Sequence, residues 1–347
     1  MLRRPLVTLA SLLAILGGCA AHPRPITGRI DTPDPHAGHA TAAADQIIAD
    51  ALADVPKGAD LTGWFCPMHP DVTGAAPGNC SKCGMAFVLG NPFDMREYEL
   101  TLTTIPAAVE PGVRFQMIFE ARHPDTGQLV TEYEVVHDRR YHLFVVSQDL
   151  TSFQHLHPTL RPDGSWALEV TVPQAGYYRV LSDFLPTGGS PQFLGRSLVT
   201  AGFEGDLASQ SARIVPDPVL EKAVGSIVAD VELEPAHLVA GEYGHMKFTL
   251  ADAASGEPIR DLEPYLGAFG HTLILSEDLQ DYVHSHPTEG PDSDVSRGLG
   301  GPTVTFEGYM PRPGRYRSWT QFQRDGQLTT VPFTFQVYSL EEAVRLD

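Results

Sequence analysis

Short apolar runs separated by turn-forming residues dominate the chain from about residue 96 to its end. In the first half these runs cover residues 113–120, 141–147, 166–172 and 177–184. Runs in the same order follow at residues 246–250, 271–276, 303–306 and 316–322. Runs of this length, bounded by turn residues, are typical of strands, and their repetition indicates an internal duplication. The pattern therefore predicts two tandem β-sandwiches, residues 93–202 and 219–340, joined by a linker over residues 203–218.

Composition agrees with a mainly β chain. The 347 residues include 32 Gly and 29 Pro, which favours many short strands joined by turns over long helices. Several short antiparallel strands per copy fit either an immunoglobulin-like or a cupredoxin-like sandwich, and the sequence leaves both open. The formal net charge of -19 speaks against nucleic acid as a partner and favours a weak attraction of cations.

One segment of each copy carries the same histidines. Residues 142–158 read HLFVVSQDLTSFQHLHP and residues 271–287 read HTLILSEDLQDYVHSHP, with seven of seventeen positions identical. All three histidines of each segment are among the identical positions, at a spacing with no insertion. These candidate ligands are His142, His155 and His157 in the first copy, and His271, His284 and His286 in the second.

Each segment reads as a β-hairpin, which would bring its histidines together. A turn centred between Gln148 and Asp149 places His142 opposite His155 and Phe144 opposite Phe153. The same reasoning for the second hairpin places His271 opposite His284 and Leu273 opposite Tyr282. Residues two apart on a strand share a face, so His157 and His286 join their clusters.

Three imidazoles on a β scaffold suit Cu(II), Zn or Ni and leave a coordination position open. An alternative is that the histidines are structural and only satisfy backbone carbonyls. The carboxylate of Asp183 could reach the first cluster, but its counterpart in the second copy is Gln321, so a turn or solvent role is expected for Asp183. His137, which has no equivalent in the other copy, is expected to be an ordinary surface or half-buried histidine.

A second candidate site lies between residues 64 and 85. Cys66-x-x-His69 and Cys80-x-x-Cys83 form two knuckles, each with two donors two residues apart, as a tetrahedral site of three cysteines and one histidine requires. The thioethers of Met68 and Met85 favour Cu(I) as the metal of such a site, with zinc as the alternative. A disulfide between two of the cysteines is the competing interpretation.

These residues also carry a resemblance. Cys66-Pro67-Met68-His69-Pro70, followed by Cys80-x-x-Cys83-Gly84-Met85, resembles the small heavy-metal-binding domain attached to copper-transporting P-type ATPases and to periplasmic adaptor subunits of metal efflux systems. The resemblance covers about thirty residues, assigned here to residues 61–92. It implies that Cys66, His69, Cys80 and Cys83 bind a heavy metal.

The start of the chain resembles an export signal of a bacterial lipoprotein. Arg3 and Arg4 precede an apolar run over residues 6–16, and Leu16-Gly17-Gly18-Cys19 resembles a lipobox. Residues 1–18 are then a signal peptide, Cys19 carries lipid, and residues 19–60 form a flexible tether. Ala20 after the cysteine resembles lipoproteins sorted to an outer membrane, which predicts a cell-envelope protein that faces the periplasm.

These features together predict an extracytoplasmic, membrane-tethered heavy-metal-binding protein that is not an enzyme. Copper is the expected metal, as Cu(I) at the cysteine site and Cu(II) at the histidine sites, and its role is buffering, transfer or resistance. The expected partners are metal ions, the lipid bilayer, and a metal efflux or copper-delivery protein. Three alternatives remain: a metal-dependent oxidoreductase with open three-histidine sites, an accessory subunit of a metal efflux system, and an adhesion or scaffold module.

Overall fold

Twenty strands and one short helix make up the described part of the protein. The structure is a computed structural model, and it describes residues 62–67, 69–82, 85–94, 96–205, 212–288 and 300–346. The predicted lipid site Cys19 and two predicted metal ligands, Met68 and Cys83, lie outside these ranges. Within them, no helix combines the length and the apolar surface that crossing a bilayer requires.

The small N-terminal domain is a three-stranded antiparallel sheet packed on the first repeat. Its strands are β1 (Gly63–Phe65), β2 (Thr73–Gly74) and β3 (Val88–Gly90), in the order β2-β1-β3. The side chains of Phe65 and Val88 are buried against Leu185, with Val136 packed beside them. A segment this short cannot bury a sizeable core of its own, so contact with the first repeat supplies the apolar surface.

The first repeat is a sandwich of two four-stranded sheets. Its strands are β4 (Glu99–Ile105), β5 (Phe115–Arg122), β6 (Tyr141–Ser147), β7 (Phe153–Leu156), β8 (Thr159–Leu160), β9 (Trp166–Val170), β10 (Tyr177–Phe184) and β11 (Gln192–Val199). One sheet has the order β4-β5-β9-β8 and the other has the order β11-β10-β6-β7.

The second repeat has the same arrangement with one added strand at an edge, and a short helix, α1 (Leu340–Leu346), follows it. Its strands are β12 (Glu221–Val224), β13 (Ile227–Glu234), β14 (Tyr243–Asp252), β15 (His271–Ser276), β16 (Tyr282–Ser285), β17 (Pro287–Thr288), β18 (Thr303–Tyr309), β19 (Gly314–Arg324) and β20 (Gln327–Val337). The sheets have the orders β12-β13-β14-β18-β17 and β16-β15-β19-β20.

This strand order is that of an immunoglobulin-like sandwich. In chain order, the first, second, sixth and fifth strands of the first repeat form one sheet, and the remaining four form the other. The named strands of both sheets pair antiparallel. Immunoglobulin-like domains divide their strands between two sheets in this way. The predicted mainly β fold with two tandem sandwiches is confirmed, and of the two sandwich types left open the immunoglobulin-like one is observed.

The central strand β6 is buried on both faces. Tyr141, Leu143 and Val145 belong to the core of the first repeat, whereas Phe144 and Val146 belong to a separate apolar cluster shared with the second repeat. Side chains alternate between the two faces of a strand. One face of β6 therefore fills its own sandwich, and the other face, which carries His142, packs against the second repeat.

The apolar cluster between the repeats, called here the repeat interface, joins the two sandwiches. Its members from the second repeat include Leu273, Leu275 and Trp319. Ala212 and Ile214 also belong to it, each 6% exposed. The segment predicted as a linker therefore contributes two buried side chains to the contact between the repeats. Two of the histidines, His155 and His284, pack on Phe144 of this cluster.

Candidate metal centre

The hairpin formed by β6 and β7 brings its histidines together, although its register differs from the predicted one. The sequence pattern predicts His142 opposite His155 and Phe144 opposite Phe153. In the structure Phe144 lies opposite His155 and Val146 lies opposite Phe153. The predicted pairing is wrong by two residues. Because a shift of two residues leaves every side chain on its original face, the histidines still converge.

The hairpin turn explains this shift. The backbone N–H of Ser147 donates to the Ser152 carbonyl at 3.0 Å, which leaves four residues in the loop. The Asp149 carboxylate accepts from the Ser147 hydroxyl and from the Thr151 N–H, and Leu150 takes a positive φ of 58°. Such a side-chain-bonded loop moves the centre of the turn by one residue. The second hairpin repeats both features, with Leu273 opposite His284, Leu275 opposite Tyr282, and turn residues Ser276, Asp278 and Leu279.

The first histidine trio points three ring nitrogens at one place. The candidate ligand atoms of His142, His155 and His157 lie within 4.8 Å of one another. His142 Nε2–H donates to the Val136 carbonyl at 3.0 Å, and His155 Nδ1–H donates to Gln321 Oε1 at 2.8 Å. His142 Nδ1 and His155 Nε2 then face each other at 3.1 Å with lone pairs rather than protons. Two facing lone pairs repel unless a cation lies between them.

The second trio repeats the outward hydrogen bonds of the first. His271 Nε2–H donates to the Tyr265 carbonyl at 2.8 Å, and His284 Nδ1–H donates to Asp183 Oδ2 at 2.7 Å. The inward atoms His271 Nδ1 and His284 Nε2 are buried and have no hydrogen-bond partner among the residues that the structure describes. His286 completes the trio, whose ligand atoms also lie within 4.8 Å of one another. Buried imidazole nitrogens without a proton donor are the ligands that a metal ion requires.

Asp183, which was expected in a turn or solvent role, and its counterpart Gln321 support histidines of the opposite repeat. Asp183, from the first repeat, accepts from His284 of the second, and Gln321, from the second repeat, accepts from His155 of the first. The Gln321 Nε2 donates to Thr330 Oγ1 at 3.2 Å, which leaves its Oε1 facing the histidine. The turn or solvent role expected for Asp183 is wrong because Asp183, like Gln321, lies beside a histidine of its own sheet, at the surface that meets the other repeat.

Burial keeps five of the trio imidazoles uncharged at neutral pH. It lowers the pKa of His142 to about 4 and the pKa of His157 to about 3. Burial also holds the pKa values of three further histidines well below their usual value, namely those of His155, His271 and His286. A neutral imidazole can donate a lone pair to a metal and an imidazolium cannot, so the site is prepared for ligation at neutral pH.

The same pKa shifts predict that the metal-free protein is destabilised by mild acid. The unfolded chain binds protons at histidines below about pH 6.5, whereas folded His142 resists protonation down to about pH 4. Stability is therefore present above pH 6.5 and is lost as the pH falls. Between pH 7.5 and pH 5 we expect His142 alone to lower the unfolding free energy by about 2 kcal/mol. Urea unfolding in the presence of a chelator measures this change.

The matched control for this experiment is His245→Gln. The His245 side chain is 39% exposed and lies 3.4 Å from a Glu307 carboxylate oxygen, so its removal should leave the loss between pH 7.5 and pH 5 in place. His142→Phe should reduce that loss. An unfolding free energy that is equal at pH 7.5 and pH 5 would contradict the assignment.

His137 is a seventh histidine of the cluster and was missed by the sequence analysis. It lies at positive φ, 50°, in a tight turn closed by hydrogen bonds between Val136 and Arg139. Its ring stacks on that of His286 with centroids 3.2 Å apart, and burial lowers its pKa well below the usual value. The equivalent turn of the second repeat carries Leu266 at φ 54°. Comparison of the two copies therefore gave no signal for His137.

The small domain gathers two sulfurs around one imidazole. His69 Nδ1 lies 3.7 Å from Cys66 Sγ and 3.6 Å from Cys80 Sγ, and the two cysteines are buried and not joined by a disulfide bond. Around a tetrahedral zinc, a sulfur and a nitrogen ligand lie about 3.6 Å apart. The three described donors of the predicted site thus have the spacing of a metal site before any metal is added.

Backbone groups hold both knuckles of the small domain. The N–H groups of His69 and Lys82 donate to Cys66 Sγ and Cys80 Sγ, at 3.3 and 3.4 Å, and so orient each sulfur. The half-buried Met85 contributes its carbonyl, which accepts from the Cys80 N–H at 2.7 Å. The described donors Cys66, His69 and Cys80 therefore have the predicted knuckle geometry, and the role of the Met85 thioether stays a prediction.

A cavity at the second histidine trio extends to the small domain. Its volume is about 390 Å³. It is lined by Pro67, which follows Cys66 in the small domain, and by His137, Asp183, His284 and His286. The small domain and both repeats therefore contribute to one cavity, which reaches the second histidine trio.

Fold and donor groups define a class of protein: two immunoglobulin-like repeats preceded by a heavy metal binding domain. Residues 64–88 match the family model of that domain, described as heavy metal binding domain. The chain belongs to the family described as domain of unknown function (DUF8832), whose model matches residues 94–193 and again residues 224–339, together more than half of the chain. The double match agrees with the internal duplication. No curated protein matches the sequence.

Several bacterial proteins of known structure share weak similarity with the chain. The Escherichia coli adhesin FdeC is 13% identical over 70% of this chain and 66% of that chain, with a TM-score of 0.22. The Yersinia pseudotuberculosis adhesin InvE is 10% identical over 69% of this chain and 60% of that chain, with a TM-score of 0.21. InvD of the same organism is 13% identical over 69% of this chain and 57% of that chain, with a TM-score of 0.22. The chain thus spans less than two thirds of each of these chains. Similarity at this level establishes neither fold nor function.

Proposed function

We propose that the protein binds heavy-metal ions outside the cytoplasm, as a membrane-tethered protein for metal buffering, transfer or resistance. The observation that carries the proposal is the direction of the imidazole lone pairs. In each trio, acceptors on the outer side of the rings hold the N–H groups away, and the opposite nitrogens of His142, His155, His271 and His284 point inward. Histidines that only satisfied backbone carbonyls would not need their second nitrogens to converge.

Copper is the metal that we propose. Thiolates and thioethers favour Cu(I), and imidazoles suit Cu(II), so the two kinds of site differ in the oxidation state they prefer. Zinc is the alternative, because it accepts both donor sets. The small domain with Cys66, His69 and Cys80, completed by Cys83 and by the thioethers of Met68 and Met85, is then the Cu(I) site.

The proposed location follows from the chain start. Cys19 in its lipobox-like context would carry lipid and tether the protein to the cell envelope, on an outer membrane facing the periplasm. The resemblance of the small domain to domains of copper ATPases and efflux adaptors suggests a metal efflux or copper-delivery protein as the partner. The formal net charge of -19 suits cation supply and not nucleic acid.

The shared cavity supports transfer of metal between the two kinds of site. Pro67 adjoins the ligand Cys66 and lines the same space as His284 and His286. An ion released by the small domain would meet imidazoles without first leaving the protein surface. Such an exchange changes the ligands of the ion, and copper that leaves the thiolates as Cu(I) becomes Cu(II) at the imidazoles only when an external one-electron acceptor such as dioxygen oxidises it.

Elemental analysis tests the proposal directly. Protein isolated anaerobically from its own envelope is expected to contain copper, and the purified full-length protein in detergent is expected to bind about three ions per chain. The double substitution Cys66→Ser and Cys80→Ser should remove one of them, and His155→Ala with His284→Ala should remove the other two. Protein that carries no metal under these conditions would disprove the proposal.

We propose that the protein is not an enzyme. The second candidate function, which would contradict this, is that of a metal-dependent oxidoreductase. It is favoured by one observation, the cavity of about 390 Å³ that reaches His284 and His286, because a three-histidine ligand set leaves a position where a substrate can bind. Turnover of dioxygen or peroxide by the copper-loaded protein, lost in His284→Ala, would establish this function. Copper binding without turnover would leave the binding function.

A further inference from the structure

We infer that the two histidine trios form one dinuclear metal centre across the repeat interface, rather than two independent sites. This inference rests on the proposed metal-binding function. Ring centroids of the two trios lie 5.4–6.5 Å apart, a range that overlaps the 4.4–6.0 Å found within the trios. His142 and His284 have centroids 5.4 Å apart, the same separation as His142 and His155. His155 lies 6.0 Å from His271 and 6.0 Å from His284.

These separations limit the distance between two bound ions. A metal bound to an imidazole nitrogen at about 2.0–2.1 Å lies about 3.2 Å from the ring centroid. With the centroids of His142 and His284 5.4 Å apart, the two ions are therefore at most about 12 Å apart. Two Cu(II) ions at such a distance interact magnetically, and each ion changes the electrostatic field that the other experiences.

The supporting hydrogen bonds cross between the repeats. Gln321 of the second repeat orients His155 of the first, and Asp183 of the first repeat orients His284 of the second. Acceptors of this kind fix the tautomer of a histidine ligand and raise its affinity for the metal. Each trio is thus complete only when the other repeat is packed against it, and the repeat interface holds both acceptors in place.

The crossed acceptors also make the two metal positions unequal. His284 donates to a carboxylate and His155 donates to a carboxamide. A carboxylate adds a negative charge close to the ion and makes the imidazole a stronger donor. Binding of the first Cu(II) is therefore expected at the second trio, and binding of the second ion is expected to be weaker because of repulsion between the ions.

Electron paramagnetic resonance tests whether the ions share one centre. Purified full-length protein in detergent first receives one equivalent of Cu(I), which is silent and fills the thiolate site, and then two equivalents of Cu(II). We expect a spectrum broadened by coupling between the ions. His157→Ala protein with one equivalent of Cu(II) should give the resolved spectrum of an isolated ion. Two uncoupled spectra in the unsubstituted protein, or saturation by one Cu(II), would overturn the dinuclear centre.

Crossed substitutions provide a second test. His157→Ala disables the first trio and His286→Ala disables the second. Asp183→Asn should lower the Cu(II) affinity about 10- to 100-fold in the His157→Ala protein and leave it nearly unchanged in the His286→Ala protein. Gln321→Leu should show the reverse pattern. The charge-matched control Asp163→Asn, at an exposed turn, should leave the Cu(II) affinity of both proteins unchanged. If Asp183→Asn lowers the affinity only in the His286→Ala protein, the acceptors do not support histidines of the opposite repeat.

The outcomes separate this inference from the function on which it rests. If none of these proteins binds Cu(II), the proposed metal-binding function of the histidines is wrong. If two ions bind without magnetic coupling, the function stands and only the shared centre is wrong.

Discussion

Serine in place of Cys66 is expected to lower the affinity of the small domain for Cu(I) by about 100-fold or more. Metal binding at a thiolate-rich site of about four ligands contributes about 10–16 kcal/mol, so loss of one thiolate costs on the order of 3 kcal/mol. Cys66 is buried 3.7 Å from His69 Nδ1, where a neutral hydroxyl cannot replace a soft anionic sulfur. Competition with a chromophoric Cu(I) chelator measures the change.

Cys19→Ser is the matched control for this measurement. Cys19 is the one cysteine of the chain that precedes the small domain, and its removal deletes the proposed lipid site without touching a metal ligand. The thiolate charge-transfer absorption should persist in Cys19→Ser protein and weaken in Cys66→Ser protein. Equal Cu(I) affinities in the two variants would mean that Cys66 is not a ligand.

The strands and the histidine trios could be predicted because they depend on local pattern. The predicted strand ranges 141–147, 177–184 and 271–276 coincide with β6, β10 and β15, where apolar runs are bounded by turn residues. The prediction of the trios was correct although the predicted register was wrong, because the error was two residues and side chains two residues apart lie on the same face of a strand. A one-residue error would have separated His142 from His155.

The relation between the repeats could not be predicted from these patterns. Strand β6 reads as a continuous apolar run, and nothing local shows that its second face packs on another sandwich. Asp183 and Gln321 are equivalent positions with different side chains, so comparison of the two copies did not indicate that each accepts a hydrogen bond from a histidine. His137 was missed because its position in the second copy is Leu266. Each of these features depends on which surfaces meet, and that is a property of the folded protein.

The repeat interface is expected to tolerate loss of Trp319 poorly. Trp319 is 4% exposed, and its ring stacks on Phe153 of the other repeat with centroids 5.0 Å apart and an angle of 7°. Trp319→Ala should therefore lower the unfolding free energy of the metal-free protein by about 3–5 kcal/mol, through lost burial and the cavity that remains. Urea unfolding followed by circular dichroism gives this value.

The same substitution should weaken the histidine sites, although Trp319 contacts no metal ligand through a polar atom. Phe153 precedes His155 by two residues on β7, so a change in the packing of Phe153 moves the strand that carries a ligand. The control Phe93→Ala removes an aromatic ring that is 64% exposed and should change the unfolding free energy by about 0.5 kcal/mol or less. If Trp319→Ala costs no more than this control, the two repeats are not held together by the apolar cluster around Trp319. The crossed hydrogen bonds from Asp183 and Gln321 would then have no rigid interface to position them.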